Sequence, residues 1–427
     1  MILGPVSLMD CFVYCLFLAP QLIWHIGLFR TTFVVLKTLP FLLLRLPFQF
    51  LRDRYWTSAA AAPAFVQGST VFEDLVVRCV RHAFRTIPAN IGRVFFSKGV
   101  TLPFLRWRML RHGYLKCPVY WRERAIAEGQ KSTKGVWIMH KPDQPPSLVI
   151  YYVRGGGFAL GSCYFYLEFL LAWHHLLLGA GHENPAIFAL DYTLVPDDIY
   201  PTQVLQTLQG YKHVLDVVQD ASKVCVAGDS AGGTLVLSLL LELGSQVGNR
   251  PRKGVKAGIR GGLSEPWPPV LPVPRMATLI SPWVKLMSNL HYPSKVDYLD
   301  RQTLWRYARE YAGESMLNQQ PASPGSCVDD ELWKAASPRR GYFITFGEEE
   351  VFAPDIETFV KRQARGGIEI EALQFDGGIH AWPVASLFLS STAEKRLQGL
   401  RSIVGQISKR TGQKAEKTKE EAWQLSD

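Results

Sequence analysis

The sequence predicts an α/β protein: a mostly parallel central sheet, helices on both of its faces, and an apolar segment ahead of it. Three observations predict this. Short, wholly apolar runs, such as residues 148–153, alternate with longer helical patterns. Strands that are apolar along their whole length belong to parallel sheets covered on both sides. Glycine-rich turns follow several of those runs, at residues 155–157, 228–233 and 377–378. Residues 1–55 differ from everything after them, with an almost unbroken apolar run over 11–29.

A chain of 427 residues could hold several domains, but an α/β fold with insertions absorbs this length in one. Hydrophobic residues make up 48% of it and aromatics 12%, which adds a lipophilic surplus to a globular composition. The net charge of +10 is scattered, not gathered in a stripe interleaved with stacking aromatics. That argues against a nucleic-acid reader and suits a surface that meets anionic membranes. The seven cysteines follow neither a disulfide framework nor zinc-ligand spacing. No asparagine begins an Asn-x-Ser/Thr sequon. Both features point to a cytosolic face. No metal or cofactor is expected.

Taken in order, residues 11–29 are long enough to cross a hydrocarbon layer of ~30 Å. A cleaved signal peptide would carry basic residues before its core and a small-residue cleavage site after it. This run is preceded by Asp10 and reads as an anchor. A second apolar stretch, 32–51, is broken by Lys37, Pro40, Arg45 and Pro47. That pattern suits an interfacial or re-entrant helix with snorkelling cations. Arg30, Lys37, Arg45, Arg52 and Arg54 all follow the first run, which by the positive-inside tendency leaves the remainder cytosolic. A hairpin insertion would give the same sequence.

Residues 59–63 are a small-residue linker. Residues 71–114 read as largely helical, beginning with an apolar face of Phe72, Leu75, Val76, Cys79, Val80 and Phe84. Arg78, Arg81, His82 and Arg85 fill the other face. The segment stands where either a cap or a plain pair of packing helices would be built. Strands are expected at 136–139, 148–153, 186–190, 224–227, 276–280, 342–346 and 368–375, with helices over 202–218 and 234–243. Residues 245–274, crowded with glycine and proline, read as a loop insertion. Residues 288–335 read as an irregular helical insertion, in which Tyr298, Leu304, Trp305 and Tyr307 either line a pocket or pack the insertion down. From Lys409 onward the chain is a mixed-charge tail.

The chemistry centres on Gly228-Asp229-Ser230-Ala231-Gly232, a Gly-x-Ser-x-Gly turn between an apolar strand and a leucine-rich helix. That is the context of a nucleophile elbow. Glycines two residues either side of the serine permit the tight turn. The amide of Ala231 opens the helix, where an oxyanion is stabilised. Gly155-Gly156-Gly157 follows the strand at 148–153 and leaves backbone N–H groups unobstructed for the same oxyanion. Of ten histidines, only His380 sits just beyond a late strand in a glycine-rich turn. It would take the proton of Ser230 and return it to the leaving group. The acid must follow the strand at 342–346, where Glu348, Glu349 and Glu350 are adjacent, and spacing does not choose among them.

Tyr151 to Phe158, Asp191 to Pro196, Gly228 to Gly233, Ser281-Pro282-Trp283, Glu350-Val351-Phe352 and Gly377 to His380 together resemble the hormone-sensitive-lipase branch of the α/β-hydrolases. With the apolar N-terminus, the likeness is to fungal membrane-anchored esterases of the steryl acetyl hydrolase type. The resemblance implies an α/β-hydrolase fold with a helical cap, Ser230 as nucleophile, His380 as base and Glu350 as acid. Glu350 is selected because Glu350-Val351-Phe352 falls on the family's Asp-Pro-Leu. The implied oxyanion-hole segment is Gly155, Gly156, Gly157 and Ala231. This chain departs from the family at Arg154, where histidine usually precedes the glycines, and in using Glu as the acid.

The expectation is therefore a serine hydrolase cleaving a lipophilic carboxylic ester through an acyl-enzyme. Transfer of the acyl group to an alcohol or amine is the alternative, and a non-catalytic ligand-binding relative a further one. The expected organisation is an anchor region (1–58), a hydrolase domain (59–408) with cap elements at 71–115 and 288–335, and a charged tail (409–427). The expected partners are the lipophilic ester and a membrane, with no nucleic acid. The expected location is the endoplasmic reticulum, with the domain on the cytosolic side.

Overall fold

The computed structural model describes residues 1–58, 61–126, 133–246 and 270–412. Most of the expected loop insertion and nearly all of the expected tail lie outside the described residues. An eight-stranded sheet is the frame, in the order β1-β2-β4-β3-β5-β6-β7-β8. The strands are β1 (Tyr120–Ile126), β2 (Thr133–Met139), β3 (Leu148–Val153), β4 (Pro185–Asp191), β5 (Val224–Asp229), β6 (Met276–Ile280), β7 (Tyr342–Gly347) and β8 (Ile370–Phe375). β2 runs antiparallel to both β1 and β4. Every other pairing is parallel. β1 was not foreseen: its residues are mostly exposed, so Tyr-Trp-Arg-Glu-Arg lacks the apolar signature of the inner strands.

Ahead of the sheet, α1 (Leu8–Ile26) and α2 (Leu28–Pro40) precede α3 (Leu46–Leu51), α4 (Ala64–Gly68), α5 (Val71–Thr86), α6 (Ala89–Phe95) and α7 (Lys98–Arg111). Helices α8 (Leu167–Gly179), α9 (Thr202–Val218) and α10 (Ala231–Gln246) connect the parallel strands from β3 to β6. α11 (Arg301–Met316) and α12 (Asp330–Ala336) lie between β6 and β7, and α13 (Ala353–Arg365) joins β7 to β8. α14 (Trp382–Leu389) and α15 (Ala393–Thr411) close the chain as described. α15 continues helically through Lys409, where the tail was expected to begin.

Strand periodicity divides the core into two layers. On β3, Val149, Tyr151 and Val153 face the layer that holds Leu208 of α9 and Leu235 of α10. Leu148, Ile150 and Tyr152 face Leu170 of α8 and Ile403 of α15. Both faces are fully buried, so β3 is apolar along its whole length.

The largely helical segment at 71–114 is three helices, α5, α6 and α7. Pro88 and Ser97 stand at the N-caps of α6 and α7 and divide it. The cationic side of α5 is engaged by other parts of the protein. Arg78 pairs with Asp74 at 2.6 Å and with Asp53 at 2.9 Å. Arg81 donates to the carbonyls of Ser294 and Lys295. α5 is packed on both sides, between the N-terminal segment and the loop ahead of α11.

Candidate active site

Parallel register brings the carboxyl ends of the inner strands to one edge, which is where α/β sheets build sites. Val153 pairs with Gly228, Asp229 with Ile280, Ile280 with Thr345, and Gly347 with Phe375. The segments that follow these strands carry the triple glycine, Ser230, Ser281, Glu350 and His380.

Ser230 sits between β5 and α10 with φ of 51°. A non-glycine residue in that region is strained, and strain of this kind gathers at functional sites. The turn is fixed from both sides: the Ser230 N–H donates to Ile280 O at 3.0 Å, and its carbonyl accepts from Trp283 N–H at 3.0 Å. Gly228 is obligatory here, because a Cβ would lie 2.7 Å from the Gly232 carbonyl and 2.8 Å from Val153 O. Among the described residues, five non-glycine residues have positive φ, and four of them surround this edge: Phe158, Ser230, Ser281 and Ala381.

Asp229 ties the serine turn to the triple glycine. Its Oδ1 accepts from Gly155 N–H at 2.7 Å and Tyr152 Oη at 2.6 Å, and its Oδ2 accepts from Tyr166 Oη at 2.7 Å. This corrects the sequence expectation for Gly155: its amide is committed to Asp229 and does not face an oxyanion. The N–H groups of Gly156 and Gly157 donate to no acceptor among the described residues. Ala231 opens α10, whose N-terminal dipole favours negative charge there.

Arg154 explains how this chain dispenses with the usual histidine. Its side chain is buried, with Nη1 donating to Leu160 O at 2.9 Å, Nη2 to Tyr192 O at 3.1 Å and Nε to Asp191 at 3.2 Å. The guanidinium also lies over the Tyr192 ring, 4.4 Å from its centroid. Burial works against its charge, and Tyr192 and Asp191 more than offset this, holding its pKa above the ordinary value. One fork of donors thus stitches both ends of the glycine loop to the end of β4. Phe158, stacked on Tyr311 at 3.8 Å, pins the same loop from the other side.

The three adjacent glutamates have separate tasks. Glu348 accepts from Gly377 N–H at 2.9 Å. Glu349 accepts from the N–H groups of Ala64 and Phe65 at the start of α4. Glu350, with no solvent exposure, places Oε1 3.8 Å from His380 Nδ1. That distance is an ion-pair approach, longer than a closed hydrogen bond. Glu350 Oε2 accepts from Ser281 Oγ at 2.5 Å and Gly347 N–H at 2.9 Å. Ser281 Oγ in turn accepts the N–H of Ala381, next to the histidine, at 2.9 Å.

Sequence reasoning missed Asp297. It is fully buried, and its two oxygens accept the N–H groups of Val351 and His380. It lies in the insertion ahead of α11, and nothing in Ser294 to Tyr298 announces its destination. Ser281 could have been found, because it directly follows β6 at the carboxyl edge. His380 is buried, which alone would push its pKa down; Glu350, Asp297 and Asp229 reverse this and hold it above the ordinary histidine value. Tyr298 packs edge-on against the imidazole, with ring centroids 5.8 Å apart. Of the other expected lining residues, Tyr307 abuts Gly157, Leu304 is core, and Trp305 bonds His291.

The sequence profile of the α/β hydrolase fold matches residues 150–384. The chain belongs to the α/β-hydrolase fold family. Its place is in the hormone-sensitive-lipase-like branch. A Schizosaccharomyces pombe protein provisionally named a steryl acetyl hydrolase, mug81, is 24% identical over 324 residues, covering 72% of this chain and 78% of that protein. Neutral cholesterol ester hydrolase 1 of Pongo abelii is 34% identical over a shorter stretch of 107 residues, 23% of this chain and 25% of its own. Among solved structures, a fungal esterase from Rhizomucor miehei superposes with a TM-score of 0.60 at 18% identity, over 81% of this chain and 98% of its own. An esterase of the bacterial hormone-sensitive lipase family superposes with a TM-score of 0.58 at 19% identity, over 81% and 100%. These two superpositions establish the shared fold.

Proposed function

We propose that this α/β-hydrolase is a serine esterase for lipophilic carboxylic esters, with acetylated sterols as the substrate class to test first. The observation that carries the reading is the strained Ser230 at the β5–α10 junction, beside two amides with no partner among the described residues. The names of the steryl acetyl and cholesterol ester hydrolase relatives support the substrate class.

In this mechanism His380 takes the proton of Ser230 Oγ as the oxygen attacks the ester carbonyl. The oxyanion is received by the N–H groups of Gly156, Gly157 and Ala231. His380 gives the proton to the departing alkoxide, leaving the acyl group on Ser230. Water, deprotonated by the same imidazole, releases the acid and restores the serine. Glu350 stabilises the imidazolium and sets the ring's orientation.

Residues 8–56 attach the enzyme to the membrane in which such esters dissolve. Two helical stretches, Leu8–Ile26 and Leu28–Trp56, have the length and composition for contact with hydrocarbon. Residence in the endoplasmic reticulum with the domain facing the cytosol belongs to the same reading, and cell fractionation tests it. Product analysis on acetylated sterols and longer-chain esters, with and without an added alcohol, tests the reaction. The proposal expects free acid and free alcohol whether or not the acceptor is present. Acyl transfer to the added alcohol as the dominant outcome would contradict it.

A further inference from the structure

We propose that residues 8–56 dock this protein on one face of a lipid bilayer, entering and leaving the apolar layer on the same side instead of crossing it. This rests on the membrane-attachment reading above and adds its topology.

Both ends of the segment are fastened to the hydrolase domain. At its start, Met1 and Leu3 are buried in the layer that holds α8 and α15. Gly4 N–H donates to His112 Nε2 at 2.9 Å, and Val6 N–H to Phe388 O at 2.9 Å. Asp10 is fully buried and accepts from Arg108 and from Trp107 Nε1, each at 3.1 Å. Arg108 reaches on to Glu168 of α8 with two bonds, at 2.6 and 3.0 Å. At the other end, Asp53 pairs with Arg78 of α5 at 2.9 Å, and Arg54 donates to Ser69 O at 2.7 Å. Between the ends, Gly27 (φ 90°) turns α1 into α2.

With 19 residues, α1 is roughly 28 Å long, enough to span by length alone. Its inner face, however, lies on the domain. Tyr14 Oη donates to Phe95 O at 2.6 Å, and its ring packs on Phe95 and Phe104. The helix beneath it, α7, carries Lys98, Arg106, Arg108 and Arg111. A spanning α1 would either draw these cations into hydrocarbon, at about 3 kcal/mol each on insertion scales, or leave α7 and break the Asp10–Arg108–Glu168 cluster.

The outer face of the same segment is apolar and bare: Trp24 is 84% exposed, with Leu8, Phe12, Leu16 and Leu44 also exposed. An apolar patch of this extent marks a lipid or protein contact. The charge distribution selects lipid. Arg30, Lys37 and Arg45 line a cleft of about 570 Å³ together with Phe29 and Phe33 of the same segment, His82 of α5 and Asn90 of α6. Among the described residues, no acidic side chain lines that cleft. The cations therefore stand beside bare apolar side chains on the same segment, a pairing that suits anionic headgroups over acyl chains, as in an in-plane amphipathic anchor.

The test is protease protection on sealed microsomes from cells expressing the full chain with one epitope before Met1 and another after Asp427. The proposal expects the chain to sediment with the microsomes and both epitopes to be cut to the same extent, or both protected. One epitope cut and the other protected would overturn the docking topology alone. A chain that stays in the supernatant overturns the attachment reading, and the proposal with it. Fluorophosphonate labelling reports whether the tagged chain is folded. Two membrane crossings would give the same epitope result, so a Tyr14→Cys/Phe104→Cys pair in the untagged, membrane-bound chain is treated with a short thiol-to-thiol cross-linker; the two native rings lie 4.8 Å apart, with Phe104 on α7. A link between positions 14 and 104 supports docking, and no link overturns it.

Discussion

The Oδ1 of Asp297 accepts the backbone N–H of His380 at 3.2 Å. The same carboxylate, through Oδ2, accepts the N–H of Val351 at 2.9 Å, one residue beyond Glu350. One buried side chain thus fixes the loop of the proposed base and the loop of the proposed acid together. Burial pushes its pKa up to about 6; the charge of His380 opposes this and that of Glu350 adds to it.

Asp297→Asn keeps a polar side chain but removes a negative charge that favours the imidazolium. His380 acts as a base only when neutral, so activity rises as pH climbs through its raised pKa. Removing the Asp297 charge lowers that pKa, and the acid limb of the kcat/KM profile should move to lower pH. The maximal rate should also fall, by about tenfold or more, because small misplacements of a catalytic group are costly. An unshifted limb would mean that Asp297 does not act on His380.

Among the glutamates, the prediction is selective. Glu350→Gln should lower kcat by about 10²–10⁴-fold with KM little changed, as expected for loss of an acid that acts mainly on the transition state. Glu348→Gln and Glu349→Gln should leave kcat within a few-fold, since their partners are backbone amides of Gly377, Ala64 and Phe65. Equal loss in all three would contradict the assignment.

Arg154→Met should be costly to the fold as well as to the rate. It leaves Asp191 without its buried cation and the carbonyls of Leu160 and Tyr192 without a donor. Breaking one side of a buried pair costs about 3–5 kcal/mol, which urea unfolding of the full chain would register. Arg154→Lys should rescue only part of it, because an ammonium cannot present the same fork. A change under about 1 kcal/mol for Arg154→Met would show that the guanidinium is not what orders the loop.

Gly228→Ala tests the turn itself. The added methyl meets backbone at Gly232 and Val153, which has no rotamer to yield. The expected loss is about 1–3 kcal/mol or more, with reduced fluorophosphonate labelling in step. A variant of wild-type stability and labelling would count against the tight elbow.

Much of this was legible in the sequence because it is local. A buried parallel strand shows itself as an apolar run, and the elbow shows itself as glycine at fixed offsets from Ser230. His380 and the glycine loop were readable for the same reason. What was not legible depends on side chains meeting across the fold. Three consecutive glutamates look alike until the partners of each are placed. Gly155 looked like its two neighbours until Asp229 claimed its amide. Asp297 reaches His380 from 83 positions away in the chain, with no pattern at either end. In the N-terminal run, hydropathy does not register that Asp10 and Tyr14 face α7.

In the proposed reaction Ser230 is the nucleophile of an esterase. The most direct measurement of this is peptide mapping after the full-length protein is treated with a fluorophosphonate probe. A single adduct on Ser230 is expected, and no adduct on Ser230→Ala at matched concentration and folding. Labelling of the Ser230→Ala chain to the same extent, or an adduct mapped to another residue, would contradict it.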